Sequence, residues 1–193
     1  MTKSSSYLFL SLIILIFISC SNDNSKSQNE VAKHAKYPTV AAMIDSSGDF
    51  SSDNGTFKIL SESPLHIQIS EITMDGMPDE QIKQETLKNI VYIAYQTFAT
   101  TEIESLTITS VPLIFDTEKQ KTIGYNDNFK TTLTVDRNKA KKVMEQFVGL
   151  TDFDELLGAD GGDSQYFPDS PSPKFEKLKS IDTIEKVIKA LTK

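Results

Sequence analysis

Residues 78–100 read PDEQIKQETLKNIVYIAYQTFAT, and this stretch gives the strongest secondary-structure signal in the chain. Pro78 suits the first position of a helix, and the two carboxylates after it complement the positive end of a helix dipole. Apolar residues then recur at intervals typical of an amphipathic helix: Ile82, Leu87, Ile90, Val91, Ala94 and Phe98. The spacing predicts a helix of about 21 residues, with Tyr92 and Tyr95 packed at the rim of its apolar stripe.

Two pairs of β-rich segments surround this predicted helix. Before it, TFKIL (56–60) and LHIQISEI (65–72) alternate apolar and polar residues, which predicts a hairpin of half-buried strands. After it, SLTITSVPLIF (105–115) and FKTTLTV (129–135) are rich in β-branched residues. Pro112 predicts an edge or a bulge in the first of these, because proline has no backbone donor.

Caps and apolar spacing predict shorter helices elsewhere. One follows the cap Thr39, one runs from the cap Asp136 to Gly149, and a short one follows the cap Thr151. A final amphipathic helix over 174–193 has an apolar side made of Ile181, Ile184, Ile188 and Leu191. This last helix either docks on the core of its own domain or offers an apolar patch to a partner.

The order α-β-β-α-β-β-α-α predicts the fold class. Segments in this order favour one α+β domain over residues 37–193, with an antiparallel sheet of about four strands and the helices packed on one face. Within this domain, residues 158–173, GADGGDSQYFPDSPSP, are rich in glycine, proline, serine and aspartate, which predicts a surface loop.

The chain begins with a short apolar run over residues 8–18. A helix of that length rises roughly 16 Å, about half of a hydrocarbon core near 30 Å, so it is too short for a stable transmembrane span. The length is typical of a secretory signal, whose apolar centre has about 7–15 residues. We therefore expect residues 1–19 to be a signal peptide.

The end of this segment, FISC (17–20), resembles the lipobox of bacterial lipoproteins, although its first two residues replace the commonest leucine and small residue. The resemblance implies a diacylglyceryl group on the thiol of Cys20, cleavage before it, and a lipidated membrane anchor followed by a polar tether over 20–36. Ser21, where that class can have aspartate, favours the outer membrane in a diderm cell. Cys20 is the only cysteine and has no intramolecular disulfide partner. An ordinary secretion signal with an incidental cysteine is the alternative.

The charge of the chain restricts its partners. The formal net charge is −7, and no basic stripe with interleaved aromatic residues is present in the sequence. Because an acidic surface repels phosphate backbones, the composition excludes nucleic acid as a partner. Anionic lipid headgroups are repelled as well, so membrane attachment is expected to depend on acyl chains. Residues 174–193 reverse the trend, with six lysines and three acids.

Residues with catalytic or metal-binding chemistry are sparse. His34 lies in the expected tether and His66 on the polar face of a strand, which leaves no zinc site. Neither a GxSxG elbow nor a phosphate-binding glycine loop occurs in the sequence. The acidic stretch 49–62 does not fit an EF-hand, and the acids of 152–163 are expected to be solvated. Arg137, the only arginine, is expected either to pair with neighbouring carboxylates or to recognise an anion.

These observations favour a lipid-anchored bacterial envelope protein that has no enzymatic activity, no cofactor and no metal. Its domain is expected to bind another protein or to assemble an envelope structure. Two alternatives remain: a small hydrolase or ligand-binding domain whose site is assembled from distant residues, and an acidic inhibitor or immunity lipoprotein. A deep pocket that holds carboxylates or His66 in an apolar setting would favour the hydrolase or ligand-binding domain, and a flat or grooved surface with an exposed apolar patch would favour the interaction domain.

Overall fold

The computed structural model describes residues 36–158 and 170–193. In chain order the elements are α1 (Val40–Ser47), β1 (Phe57–Glu62), β2 (Leu65–Ile69), β3 (Ile72–Met74), α2 (Asp79–Thr100), β4 (Ser105–Ser110), β5 (Leu113–Asp116), β6 (Lys121–Tyr125), β7 (Thr131–Asp136), α3 (Arg137–Val148), α4 (Pro173–Leu178) and α5 (Ile184–Thr192). Two short 3₁₀ helices occupy Asp127–Phe129 and Phe153–Leu156.

The strands form two sheets of mixed direction. The larger sheet has the order β1-β2-β4-β7, and the smaller has the order β3-β5-β6. β2 is parallel to β4 and β3 is parallel to β5, whereas the other pairs are antiparallel. The α+β class is confirmed, but the prediction of one antiparallel sheet is wrong. The physical reason is α2, which lies between β3 and β4 and supplies the crossover connection that parallel pairs require.

Pro112 marks the point where the chain passes from the larger sheet to the smaller one. Toward β2 and β3 the hydrogen bonding continues past Pro112. The backbone N–H of Val111 donates to the carbonyl of Ile69 at 3.1 Å, and that of Leu113 donates to the carbonyl of Glu71 at 2.9 Å. On its other side the neighbouring strand changes from β7, which pairs with β4, to β6, which pairs with β5. The missing donor of proline therefore lies where two ladders meet, and the run predicted as one strand is two.

α2 supplies the centre of the hydrophobic core. All members of the predicted apolar stripe are buried: Ile82, Leu87, Ile90, Val91, Ala94 and Phe98. Tyr95, predicted at the rim, is fully buried instead, and its hydroxyl donates to the backbone carbonyl of Ala140 in α3 at 3.0 Å. A phenol can occupy a core when such an acceptor is available. Tyr92 is half-buried, as a rim position would be.

The segment predicted as one helix over 174–193 is two helices, α4 and α5. The turn between them is closed by a hydrogen bond of 2.8 Å between the hydroxyls of Ser180 and Thr183. Both helices dock on the core through Phe175, Leu178, Ile184, Val187 and Leu191, all of them buried. Ile181, predicted on the apolar side, lies in the turn and is 61% exposed, because the break in the helix removes it from the buried stripe.

Most predicted caps are confirmed. The side chain of Thr39 accepts a hydrogen bond from the backbone of Ala42, and that of Asp136 accepts one from Lys139. Gly149 ends α3 in the left-handed region, with a φ of 71°, where glycine carries no steric penalty. The segment after residue 150 differs from its prediction, since the cap there is Asp152 and the helix is a short 3₁₀ turn.

Lys36, assigned from the sequence to the tether, belongs to the folded domain. Its ammonium donates to Oδ1 of Asp154 at 2.9 Å and also to the backbone carbonyl of Ala99. The buried apolar residues of the described core all lie between Val40 and Leu191, so a chain that begins at residue 21 contains that whole core.

Several predictions concern residues outside the described part of the chain. These are the signal peptide over 1–19, the lipidated Cys20, the tether up to residue 35 and most of the loop 158–173. Among the helices that the structure describes, none combines the length and the apolar character needed to cross a membrane.

Candidate binding groove between helices α3 and α5

A groove lies between α3 and α5 on the surface of the domain. We call it the lysine groove, and its lining consists of Lys139, Lys142, Val143, Gln146, Phe147, Lys186, Lys189, Ala190 and Lys193. Val143 is buried, while Phe147 and Ala190 are half-buried and form the rest of an apolar floor. Four of the five lysines are exposed and Lys139 is half-buried. The groove therefore combines an apolar floor with cationic rims.

Helical spacing brings these residues together. On α3 the groove positions follow at intervals of three and four residues, which places them on one side of the helix. The same spacing occurs at α5, where Lys186 and Lys189 lie three residues apart and Lys193, the C-cap, follows four residues later. The neighbouring stripe of α5, Ile184, Val187 and Leu191, is buried in the core and fixes which side of the helix faces the groove.

The positive charges of this groove are not neutralised within the described residues. Ion pairs of the described chain use other cations: Lys36, Lys83, Lys88, Lys119, Arg137 and Lys179. The five lysines of the groove form no ion pair with a described carboxylate, and its lining contains no acidic side chain. In a chain of formal net charge −7 this is a local reversal of sign. Charges of one sign along a concave surface attract counter-charged partners.

A second groove, between α2 and α4, has the opposite character. Its charged side chains are paired with each other, Lys88 with Glu85 at 2.9 Å and Lys179 with Glu176 at 3.0 Å. The ammonium of Lys179 also lies 4.8 Å from the ring centroid of Tyr92. Because these charges are already satisfied, this groove offers less to a charged partner than the lysine groove does.

Two ionisable side chains near the second groove, Glu71 and Tyr92, have raised pKa values. Desolvation by neighbouring groups, and after it the charges of Glu85 and Asp49, raise the pKa of the Glu71 carboxyl above its ordinary value, although the residue is exposed at the surface. Burial, and then the hydrogen bond that its hydroxyl donates to Asp49, raises the pKa of Tyr92. The phenol therefore stays neutral at physiological pH and serves as a hydrogen-bond donor.

His66 is engaged in a contact within the larger sheet. Its Nε2 lies 2.8 Å from the hydroxyl oxygen of Thr109 on the neighbouring strand, and its ring is half-buried. Thr109 in turn bonds the hydroxyl of Thr132 at 2.8 Å. Among the described residues the hydrogen-bond partner of this imidazole is therefore a hydroxyl and not a carboxylate of the kind that orients a catalytic histidine.

Arg137 has partners that its sequence neighbours do not indicate. Its guanidinium donates to three backbone carbonyl oxygens, those of Phe98, Thr101 and Ile103. Within the described part of the chain, the expected pairing with a carboxylate is limited to Glu104, whose side chain is 72% exposed and whose Oε1 lies 3.5 Å from Nε of Arg137. These carbonyls occupy three of the five N–H donors of the guanidinium, one on each nitrogen, which leaves fewer for an external anion. Within residues 36–158 and 170–193, no three acidic, histidine or cysteine side chains are placed to hold a metal ion.

The lysine groove is only partly visible in the sequence. Residues 174–193 contain an excess of lysine, but the lysines of α3 lie about fifty residues earlier and join them only through the packing of α3 against α5. Comparison with known proteins gives no further assignment, because no family model, no curated protein and no solved structure matches this chain.

Proposed function

We propose that this chain is a lipid-anchored bacterial envelope protein whose α+β domain binds a partner protein and carries out no reaction itself. The observation that supports binding is the lysine groove, in which unneutralised cations surround an apolar floor. Protein interfaces combine these two elements, with apolar contact at the centre and polar contact at the rim.

The amino acids of the groove favour binding over catalysis. A hydrolytic site needs a nucleophile or a base held in a hydrogen-bonded constellation. The groove presents only ammonium groups, one amide and apolar side chains. The positive charge of the groove also disfavours the alternative of an acidic inhibitor, because such a protein would present carboxylates to its target.

The proposed anchor is Cys20, followed by a polar tether that ends where Lys36 contacts Asp154. Sixteen residues of polar coil would allow the domain a root-mean-square distance of roughly 20–25 Å from the membrane. Two or more acyl chains hold a protein stably at a bilayer, whereas one chain alone binds it only marginally. The domain would thus meet partners within a short distance of the membrane surface.

Site-specific photo-crosslinking in cells tests the binding proposal. Benzoylphenylalanine is placed at Gln146, in the lining of the lysine groove, and in a second strain at Glu118, an exposed residue of the turn between β5 and β6. The proposal predicts a discrete crosslinked protein at Gln146 and none at Glu118. Equal labelling at both positions, or none at Gln146, would contradict it.

A further inference from the structure

We infer that the partner presents to the lysine groove an acidic amphipathic helix, which packs between α3 and α5 as a third helix. This inference rests on the proposed function, since it names the chemistry of the segment that the same groove would bind.

The shape of the groove matches the side of a helix. Two packed helices present rows of side chains at intervals of three and four residues, and a third helix places its own ridge between such rows. From Lys186 on α5 to Lys193 at its C-cap the row covers seven residue steps, or about 10 Å at 1.5 Å per residue. The bound segment would therefore contribute about two turns.

The floor of the groove selects an apolar stripe. Val143 and Phe147 stand one turn apart on α3, and Ala190 faces them from α5. Alanine has a small side chain, so a partner helix can approach the backbone of α5 closely at that point. Leucine or similar residues at helical spacing would cover this floor and exclude water from it.

The rims of the groove select acidic residues on both flanks of that stripe. Lys139 and Lys142 lie on one rim, and Lys186 and Lys189 lie on the other. Lysine stems are apolar and can lie along the bound helix while each ammonium meets a carboxylate. Glutamates on both sides of one apolar stripe satisfy this arrangement, whereas a basic helix would be repelled.

Other occupants fit less well. A bilayer surface is broad and cannot enter a groove between two helices to reach the apolar floor. A second copy of the chain would need an exposed apolar stripe on an acidic helix, but the stripe of α2, its most acidic long helix among those described, is buried in its own core. An acidic helix of a different protein is the occupant that meets both the floor and the rims.

A binding measurement with synthetic peptides tests the inference. The protein over residues 21–193 is titrated against a fluorescent peptide with a leucine stripe at helical spacing and glutamates on both flanks. A second peptide has lysine at every glutamate position. We expect the acidic peptide to bind with an affinity that falls as salt is added, and the basic peptide not to bind.

Charge reversal locates the binding site. The groove variant Lys142→Glu/Lys186→Glu/Lys189→Glu should weaken binding of the acidic peptide by about tenfold or more. The matched variant Lys121→Glu/Lys130→Glu/Lys177→Glu changes the net charge equally at exposed lysines outside the groove, and should stay within about twofold of the parent. Circular dichroism of both variants must match that of the parent, so that unfolding is excluded as the cause.

Three results would overturn the inference: the acidic peptide does not bind, the basic peptide binds equally well, or the two triple variants weaken binding of the acidic peptide equally. Binding of phosphatidylglycerol vesicles that is lost only in the groove variant would instead assign the groove to a lipid surface, and self-association lost only in the groove variant would assign it to a second copy. A crosslink at Gln146 together with any of these results would leave the proposed function standing and reject the acidic helix.

Discussion

Arg137, in the first turn of α3, donates a hydrogen bond from Nη1 to the backbone carbonyl oxygen of Phe98, in the last turn of α2, at 2.7 Å. The same side chain reaches Thr101 through Nη2 at 2.6 Å and Ile103 through Nε at 3.1 Å. Carbonyls at the end of a helix have no partner within it and lie at the negative end of the helix dipole. One guanidinium therefore closes α2 and joins it to α3, one of the two helices that form the lysine groove.

Replacing Arg137 should destabilise the domain. Arg137→Leu removes all three donors and leaves part-buried carbonyls without partners, so we expect a loss of about 2–4 kcal/mol in the free energy of unfolding. Arg137→Lys should recover only part of this loss, because an ammonium cannot reproduce the fork of a guanidinium. Urea denaturation measures the free energy of unfolding of both variants.

Lys141→Ala, at an exposed position of the same helix, is the control. Its free energy of unfolding should stay within about 0.5 kcal/mol of the parent. An Arg137→Leu midpoint equal to that of Lys141→Ala would refute this role.

The C-terminal helices should contribute to the stability of the core. Phe175 is fully buried and its ring stacks on that of Tyr92 with centroids 5.8 Å apart, so Phe175→Ala should cost about 3–5 kcal/mol through lost burial and the cavity that it leaves. Ile181→Ala, at an exposed residue of the next turn, should cost less than about 0.5 kcal/mol. Thermal unfolding followed by calorimetry compares the two. Similar midpoints for both variants would show that α4 does not belong to the core.

The pKa of Glu71 predicts a pH-dependent effect of Glu71→Gln. Because the carboxyl has a raised pKa in the folded state, the unfolded chain loses this proton more readily as the pH rises, and the folded state loses stability relative to it. The variant should be more stable than the parent at pH 7, and the difference should shrink as the pH falls below about 4, where the carboxyl is protonated in both states. Urea denaturation at a series of pH values measures this difference.

A control separates local charge from net charge at this position. Glu118→Gln removes one negative charge from an exposed turn. If it stabilises the protein at pH 7 as much as Glu71→Gln does, the effect comes from the net charge of the chain and the neighbours of Glu71 are irrelevant.

Local patterns sufficed for much of the fold. Thr39, Asp136 and Gly149 act as the helix boundaries that their chemistry indicates, and the stripe from Ile82 to Phe98 is buried as its spacing predicts. Such features depend on interactions within a few residues, so the sequence displays them directly.

Features that depend on distant contacts were not predictable in this way. β6 contains Ile123, which is 49% exposed, and Gly124, so its sequence lacks the apolar alternation of a half-buried strand. The parallel pairing of β2 with β4 follows from the path of α2 over the sheet, which no local pattern reports. Tyr95 is buried because Ala140, forty-five residues later, offers its carbonyl.

The lysine groove could not be predicted from local patterns either, because it also depends on distant contacts. Lys139 and Lys186 read individually as solvated residues of two amphipathic helices. Only the packing of α3 against α5 places both at the rims of one groove, and only the ion-pair pattern of the described residues shows that they are not neutralised.

Cell fractionation of two variants tests most directly whether lipid on Cys20, and not surface charge, holds the domain at the membrane. The account predicts that the parent sediments with membranes, that Cys20→Ser appears in the soluble fraction, and that Lys142→Gln/Lys186→Gln/Lys189→Gln still sediments, because acyl chains provide the attachment. The opposite pattern, with Cys20→Ser retained on membranes and the triple variant released, would contradict it.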